Sequence, residues 1–210
     1  MRIFLSRLHF PVTSLGFGRR VGVWFQGCSI RCPGCVSVDT WAAGRGSTTV
    51  DAVVEAIIPW LREADGITIS GGEPFDQVNA LEELVRELRP RMSGDVLIFS
   101  GYPYEALETS LSRLVELVDA IVTDPFEAES PQTLALRGSD NQRLHRLTAL
   151  GRARYSDGVV DTGSPVDVMV DNDGTVWMAG IPRRGDLERL RALLESRGLD
   201  CSTSEARLPR

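Results

Sequence analysis

The pattern that most restricts this chain is a short apolar strand that ends in a glycine-bearing turn and passes into an amphipathic helix, and it recurs in order. Gly66-Ile67-Thr68-Ile69-Ser70 runs into Gly71-Gly72-Glu73-Pro74, after which Asp76 opens a helix with Leu81, Leu84, Val85 and Leu88 on one face. Val96–Ser100 runs into Gly101-Tyr102-Pro103-Tyr104 and then a helix bearing Leu107, Leu111, Leu114, Val115 and Val118. Pro103 suits its first position, where a missing N–H costs nothing. Val21–Phe25 and Ala120–Thr123 are two more strands. Strands alternating with helices at this spacing form βα units, hence an α/β fold with a parallel sheet and right-handed crossovers. In such sheets reactive groups gather beyond the C-terminal ends of the strands. One rim should therefore carry the loop after Phe25, the Gly-Gly-Glu-Pro turn, the Ser-Gly-Tyr turn and Asp124-Pro125-Phe126.

Around this core the signals are more varied. Residues 2–10 read as an edge strand or the start of a hairpin, and Gly44–Thr49 as a flexible connection. Thr49 or Asp51 can cap a helix with Val50, Val53, Val54, Ile57, Ile58 and Leu61 at helical spacing, and Pro59 inside it predicts a kink or break near Ile58. Beyond Phe126, Glu127–Thr133 is a polar loop and Arg137–Arg143 is rich in turn residues. Val166–Val170 and Thr175–Met178 flank Asn172-Asp173-Gly174, a hairpin signal. A last helix, Asp186–Ser196, is expected to bury Leu187, Leu190, Leu193 and Leu194 and to stop at Gly198, with a frayed tail from Cys201 to Arg210. No linker divides the chain, so its 210 residues read as one domain, with a core at about 20–125 and a C-terminal extension at 126–200.

Charge and hydropathy exclude some partners. Acidic residues outnumber basic ones, 29 to 23, and no dense Lys/Arg block could track phosphates, so nucleic acid is not an expected partner. No run approaches the length of a membrane span, and the apolar patch in MRIFLSRLHFPV is too short for a signal-peptide core and has no small-residue cleavage site. The expectation is a cytoplasmic protein with reduced thiols, in which clustered cysteines serve metal binding or redox chemistry.

Three of the four cysteines, Cys28, Cys32 and Cys35, fall in the loop after the Val21–Phe25 strand. The C-x₃-C-x₂-C spacing admits three readings. A zinc site would draw a fourth ligand from His9, His145, Asp39 or Cys201, none of which lies at a short ligand-pair spacing from the loop. A redox pair at Cys32-Pro33-Gly34-Cys35 would want a helix starting within the motif, whereas Val36–Thr40 is β-branched and capping in character, and Cys28 would have no role. An iron–sulfur cluster with three thiolates would leave one iron open to a small molecule.

Taken with the Gly-Gly-Glu-Pro turn after the next strand, the loop resembles that of the radical S-adenosylmethionine enzymes. The resemblance is closest to the small activating enzymes of anaerobic ribonucleotide reductase and other glycyl radical enzymes. It rests on Cys32-Pro33-Gly34-Cys35 followed by Thr40-Trp41, on Ser100–Glu105, on Arg137–Arg143, and upstream on His9–Val12 and Gly16–Arg19. It implies a partial (β/α) barrel of mostly parallel strands with the C-terminal hairpin and helix appended. Cys28, Cys32 and Cys35 would hold a [4Fe-4S] cluster whose open iron chelates S-adenosylmethionine. Ser70, Gly71, Gly72, Glu73, Ser100 and Asp124 would form the cofactor-binding rim, with Glu73, Asp124, Arg137 and Arg143 as candidate contacts to the methionine, ribose or substrate. The implied reaction is reductive cleavage of S-adenosylmethionine to a 5′-deoxyadenosyl radical, followed by hydrogen-atom abstraction. Because four cysteines cannot build a second cluster, electrons would come from an external donor of flavodoxin or ferredoxin type. The target is a glycyl radical enzyme or, alternatively, a small molecule or peptide. Two departures bear on the target: Asp124 stands where a glycine is expected, and more than sixty residues follow Arg143.

Overall fold

The computed structural model describes residues 1–155, 166–172 and 175–199. Its centre is a seven-stranded sheet in the order β3-β1-β2-β4-β5-β6-β7, made of β1 (Arg2–Val12), β2 (Arg20–Phe25), β3 (Ser47–Thr49), β4 (Gly66–Gly71), β5 (Asp95–Phe99), β6 (Ala120–Thr123) and β7 (Arg143–Arg146). The strands β2, β4, β5 and β6 run parallel, with Phe25 opposite Gly71, Ile69 opposite Ile98 and Phe99 opposite Val122. Antiparallel strands flank them on both sides, so the sheet is mixed around a parallel centre. Helices α1 (Val50–Leu61), α2 (Val78–Leu88) and α3 (Tyr104–Ser112) follow β3, β4 and β5, and their apolar stripes pack with Val21, Val23, Phe25, Ile67, Ile69, Val96, Ile98 and Ile121 in the main core. Alternation along each strand turns the other residues, Arg20, Trp24, Thr68, Leu97 and Phe99 among them, to the opposite face.

Several expectations are corrected. The N-terminal strand starts a hairpin with β2, one of its two expected roles, but is not at the edge, because Ser47–Thr49, read as a flexible connection, pairs outside it as β3. Thr49 caps α1 as expected, its Oγ1 accepting from Ala52 N at 3.3 Å. The helix runs past Ile58 to Leu61 without a break. Pro59 lies in the final turn, where only one internal bond is lost and Val50, Val53, Val54 and Ile57 already anchor the element. Asp76 does not open α2: Pro74–Gln77 forms a 3₁₀ turn first, capped by Glu73. Pro103 is the N-cap of α3 rather than its first residue.

The C-terminal portion covers the sheet face opposite the helices. A short helix, α4 (Ala149–Arg154), follows β7 and brings Tyr155 against Leu97, Ala120 and Val122. The expected hairpin is β8 (Val166–Val170) with β9 (Val176–Gly180); Asp173 and Gly174 of its turn lie outside the described residues. Asp167 accepts hydrogen bonds from Thr13 N (2.7 Å), Thr13 Oγ1 (2.6 Å), Ser14 N (3.0 Å) and Ser14 Oγ (2.8 Å), which fixes the hairpin to the end of β1. Helix α5 (Asp186–Ser196) ends at Gly198 in the left-handed conformation (φ 76°), the expected stop. It buries none of its leucines fully, and Leu193 is 50% exposed, because little of the described chain lies against it. The tail and Cys201 lie outside the described residues.

Candidate functional site

Because β2, β4, β5 and β6 are parallel, their C-terminal ends open on one edge, and the turns that leave them are joined by hydrogen bonds. The cysteine loop and the Gly-Gly-Glu turn meet through backbone: Gly72 N donates to Phe25 O (2.8 Å) and Glu73 N to Gly27 O (2.8 Å). Those contacts account for the glycine pair. Gly71 has φ 101°, and a side chain there would strike the Phe25 backbone, while one on Gly72 would strike Gly27 O. The close approach that demands glycine is therefore made by the protein's own neighbouring strand.

Glu73 links this turn to the next. It is buried, and its carboxylate accepts from Phe75 N (2.9 Å), Ser100 Oγ (3.0 Å) and Gly101 N (2.8 Å). Desolvation pushes its pKa up to about 7 against those donors. A third link, on the outside of the rim, was not legible in the sequence. Asp76 accepts from Ser29 N (2.7 Å), Ser29 Oγ (2.8 Å) and the Tyr102 hydroxyl (2.8 Å), and so ties the cysteine loop to the turns after β4 and β5. No sequence spacing marks Ser29, Asp76 and Tyr102 as partners, since they meet only through the fold. The fourth turn joins when Asp124 N donates to Tyr102 O (3.0 Å).

Of the charged candidates, Glu73 points into the protein, whereas Asp124 and Arg143 stand at the surface. Arg143 grips Glu105 bidentately (2.7 and 2.8 Å) and also donates to Asp124 (2.7 and 3.0 Å), holding the Glu105 carboxylate down to about 2. Asp124 has φ 80°, the conformation in which glycine is at ease, so a glycine-type backbone position is kept with an acidic side chain on it. Arg137 is half-buried in the loop before β7. Ser70, at the end of β4, is partly exposed on the same edge, and Ser100 is buried and donates to Glu73.

The three thiols are half-buried, and burial pushes each pKa up. Nearby N–H groups counter that shift at every sulfur, those of Arg31 and Ile30 at Cys28, of Phe126 at Cys32 and of Ser37 and the Trp41 side chain at Cys35, where Ser37 N donates at 3.4 Å. Amides aimed at sulfur are what a ligating thiolate needs to stabilise its charge. Among the described residues no three His, Cys, Asp or Glu side chains gather around a single-ion position. A cubane cluster does not ask for that, because each cysteine binds a different iron. In donor type and in N–H surroundings the loop fits such a cluster.

Comparison with known proteins agrees with this arrangement. A family profile described as a 4Fe-4S single cluster domain matches residues 14–145. The anaerobic ribonucleoside-triphosphate reductase-activating protein of Escherichia coli K12 is 30% identical over 148 residues, covering 66% of this chain and 96% of the relative. The chain belongs to the radical S-adenosylmethionine activase family. Other members of the family are the protein of the same name from Enterobacteria phage T4 (31% over 134 residues, 61% of this chain and 85% of the relative) and the pyruvate formate-lyase-activating enzyme of Staphylococcus aureus (31% over 138 residues, 61% and 55%). The family profile ends at Arg143–Arg146, on β7, so α4, the hairpin and α5 lie beyond the part that the profile describes. Among the described residues no helix is long and apolar enough to cross a membrane.

Proposed function

We propose that the chain is a glycyl radical enzyme activase in which Cys28, Cys32 and Cys35 hold a [4Fe-4S] cluster and the edge formed by Ser70–Glu73, Ser100 and Asp124 receives S-adenosylmethionine. The observation that carries this reading is the hydrogen-bonded joining of the cysteine loop to the turns after β4 and β5, by Ser29, Asp76 and Tyr102 on one side and by Glu73 with Ser100 and Gly101 on the other. When bound, these cofactors supply one-electron cleavage of the sulfonium and abstraction of a hydrogen atom from the target.

The chain's own residues position and shield. Glu73 fixes the spacing between two turns, so that the backbone of Gly71 and Gly72 is presented in one geometry. The Ser29–Asp76–Tyr102 contacts keep the cysteine loop from swinging away from that backbone. Such fixed placement is where a protein contributes to chemistry that belongs to its cofactors. The parallel strands with their helices on one face support reading the sheet as the partial barrel of radical S-adenosylmethionine enzymes. The hairpin's bonds to Thr13 and Ser14 support reading core and extension as one domain.

A second reading, direct action on a small molecule or peptide, is favoured by the extension. Trp177 of β9 packs edge-on against Trp24 (5.4 Å between centroids), on the sheet face opposite the helices, and so supplies an apolar wall next to the rim. The two readings separate in one experiment. After anaerobic reconstitution, expected to give about four iron per chain, the protein is mixed with reductant, S-adenosylmethionine and a candidate glycyl radical enzyme. A protein-centred glycyl signal in electron paramagnetic resonance supports the activase. Release of 5′-deoxyadenosine with no protein radical on any partner supports the second reading, and no uptake of iron defeats both.

A further inference from the structure

Trp41 carries a polar atom that the protein leaves without a partner. Its indole Nε1 is buried, and no acceptor meets it at ordinary hydrogen-bond geometry. Buried tryptophan N–H groups are normally satisfied, so an orphan of this kind points to an acceptor that arrives later. The sulfur its indole acts on is that of Cys35, whose pKa it lowers, at a geometry that falls short of a hydrogen bond in the free thiol.

The placement is held from both sides. Gly27 N donates to Thr40 O (2.7 Å) and Cys28 N to Trp41 O (3.3 Å), so the backbone of the Thr-Trp pair is bonded to the root of the cysteine loop. Trp41 N donates to Val38 O (3.1 Å), Thr40 Oγ1 to Ser37 O (2.6 Å), and Gln26 Nε2 to Ala42 O (2.8 Å). The Trp41 backbone is therefore fixed to the loop that carries Cys35. Ser37 N also donates to the Cys35 sulfur, at 3.4 Å. A neutral thiol accepts weakly, but an iron-bound thiolate is anionic and draws N–H donors closer.

We infer that the Trp41 indole N–H is a dedicated hydrogen-bond donor to the Cys35 thiolate of the assembled cluster, and that it sets the cluster's reduction potential. The inference rests on the cluster reading above and deepens it. It makes Trp41 a positioning residue that acts through Cys35. A donor to a thiolate stabilises the added electron, so the bond raises the potential and makes the cluster easier to reduce.

The test uses the full reconstituted chain in three forms: unaltered, Trp41→Phe, and Trp41 replaced by benzothienylalanine, which keeps the bicyclic shape and exchanges the N–H for sulfur. The readouts are iron and sulfide content and the midpoint potential from a redox titration followed by electron paramagnetic resonance. Equal cluster content with a potential moved to more negative values in the benzothienyl form is the expected result. It holds even where Trp41→Phe loses the cluster through lost packing. An unchanged potential in the benzothienyl form, with the cluster intact, overturns the assignment of Trp41 alone. Failure of the unaltered chain to take up iron and sulfide overturns the cluster reading and the assignment together.

Discussion

The two ends of the parallel strands use their charges differently. At the N-terminal end Arg20 is completely buried and donates to Asp95 twice (both 2.9 Å), to Thr68 Oγ1 (2.6 Å) and to Ile67 O (2.7 Å), while Tyr155 and Arg154 close on the same carboxylate. At the C-terminal end Glu73 is buried, but the other acidic groups face outward, as Asp76 does with Ser29 and Tyr102, or pair in solvent, as Glu105 does with Arg143. The first arrangement locks β2, β4 and β5 to one another and to α4, with no group left to react. The second fixes backbone turns and leaves sulfur, hydroxyl and carboxylate groups accessible. The same sheet therefore separates stability from chemistry by strand direction.

The largest effect expected on stability is at the buried end. Arg20→Ala takes from the buried Asp95 carboxylate its fully buried cation, leaving it Arg154 and Tyr155, and should cost about 3–5 kcal/mol in urea unfolding. A loss no greater than that of a rim substitution would break the comparison. Glu73 comes next, because it is the one rim carboxylate treated like a core group. Its pKa is raised in the fold, so the folded chain binds the extra proton. Stability then declines as pH rises from the ordinary carboxylate range through about 7, by up to about 3 kcal/mol, and stays lower above it. Glu73→Gln should flatten that decline in unfolding curves taken across the range, and an unaltered slope would assign it to another group.

Asp76→Ala sharpens the contrast from the opposite side. It should cost less than about 1 kcal/mol of stability, since the group is exposed, while cleavage of S-adenosylmethionine falls about tenfold or more through misplacement of the cysteine loop. Equal activity would show that the Ser29–Asp76–Tyr102 contacts have no part in positioning. The smallest change is expected for Asp124→Gly. It relieves a left-handed backbone at about 1 kcal/mol and gives up a partly exposed pair with Arg143 of similar worth, so the melting temperature should barely move.

What could be read from the residues follows the range of the interactions. The strands β2, β4, β5 and β6 were legible because apolar runs bounded by glycine turns are local patterns, and their parallel direction fixed which turns share an edge. β7 and α4 were hidden: Arg143–Arg146 is polar on both faces, and Ala149–Arg154 is too short to show a helical period. The glycine pair reads from the sequence as a tight turn, but its tight neighbour is β2, which no local reading supplies. Asp124 looked like a departure from glycine, and only its backbone angle reveals that the position's geometry is retained. The leucines of α5 have helical spacing, and spacing alone does not say whether anything lies against them.

The three-cysteine loop is the proposed seat of radical initiation. The most direct measurement is 5′-deoxyadenosine released per chain when the reconstituted protein is given reductant and S-adenosylmethionine, compared with Cys32→Ala prepared in the same way. The account predicts release from the unaltered chain and none from Cys32→Ala, with both folded by circular dichroism; equal release from the two would contradict it.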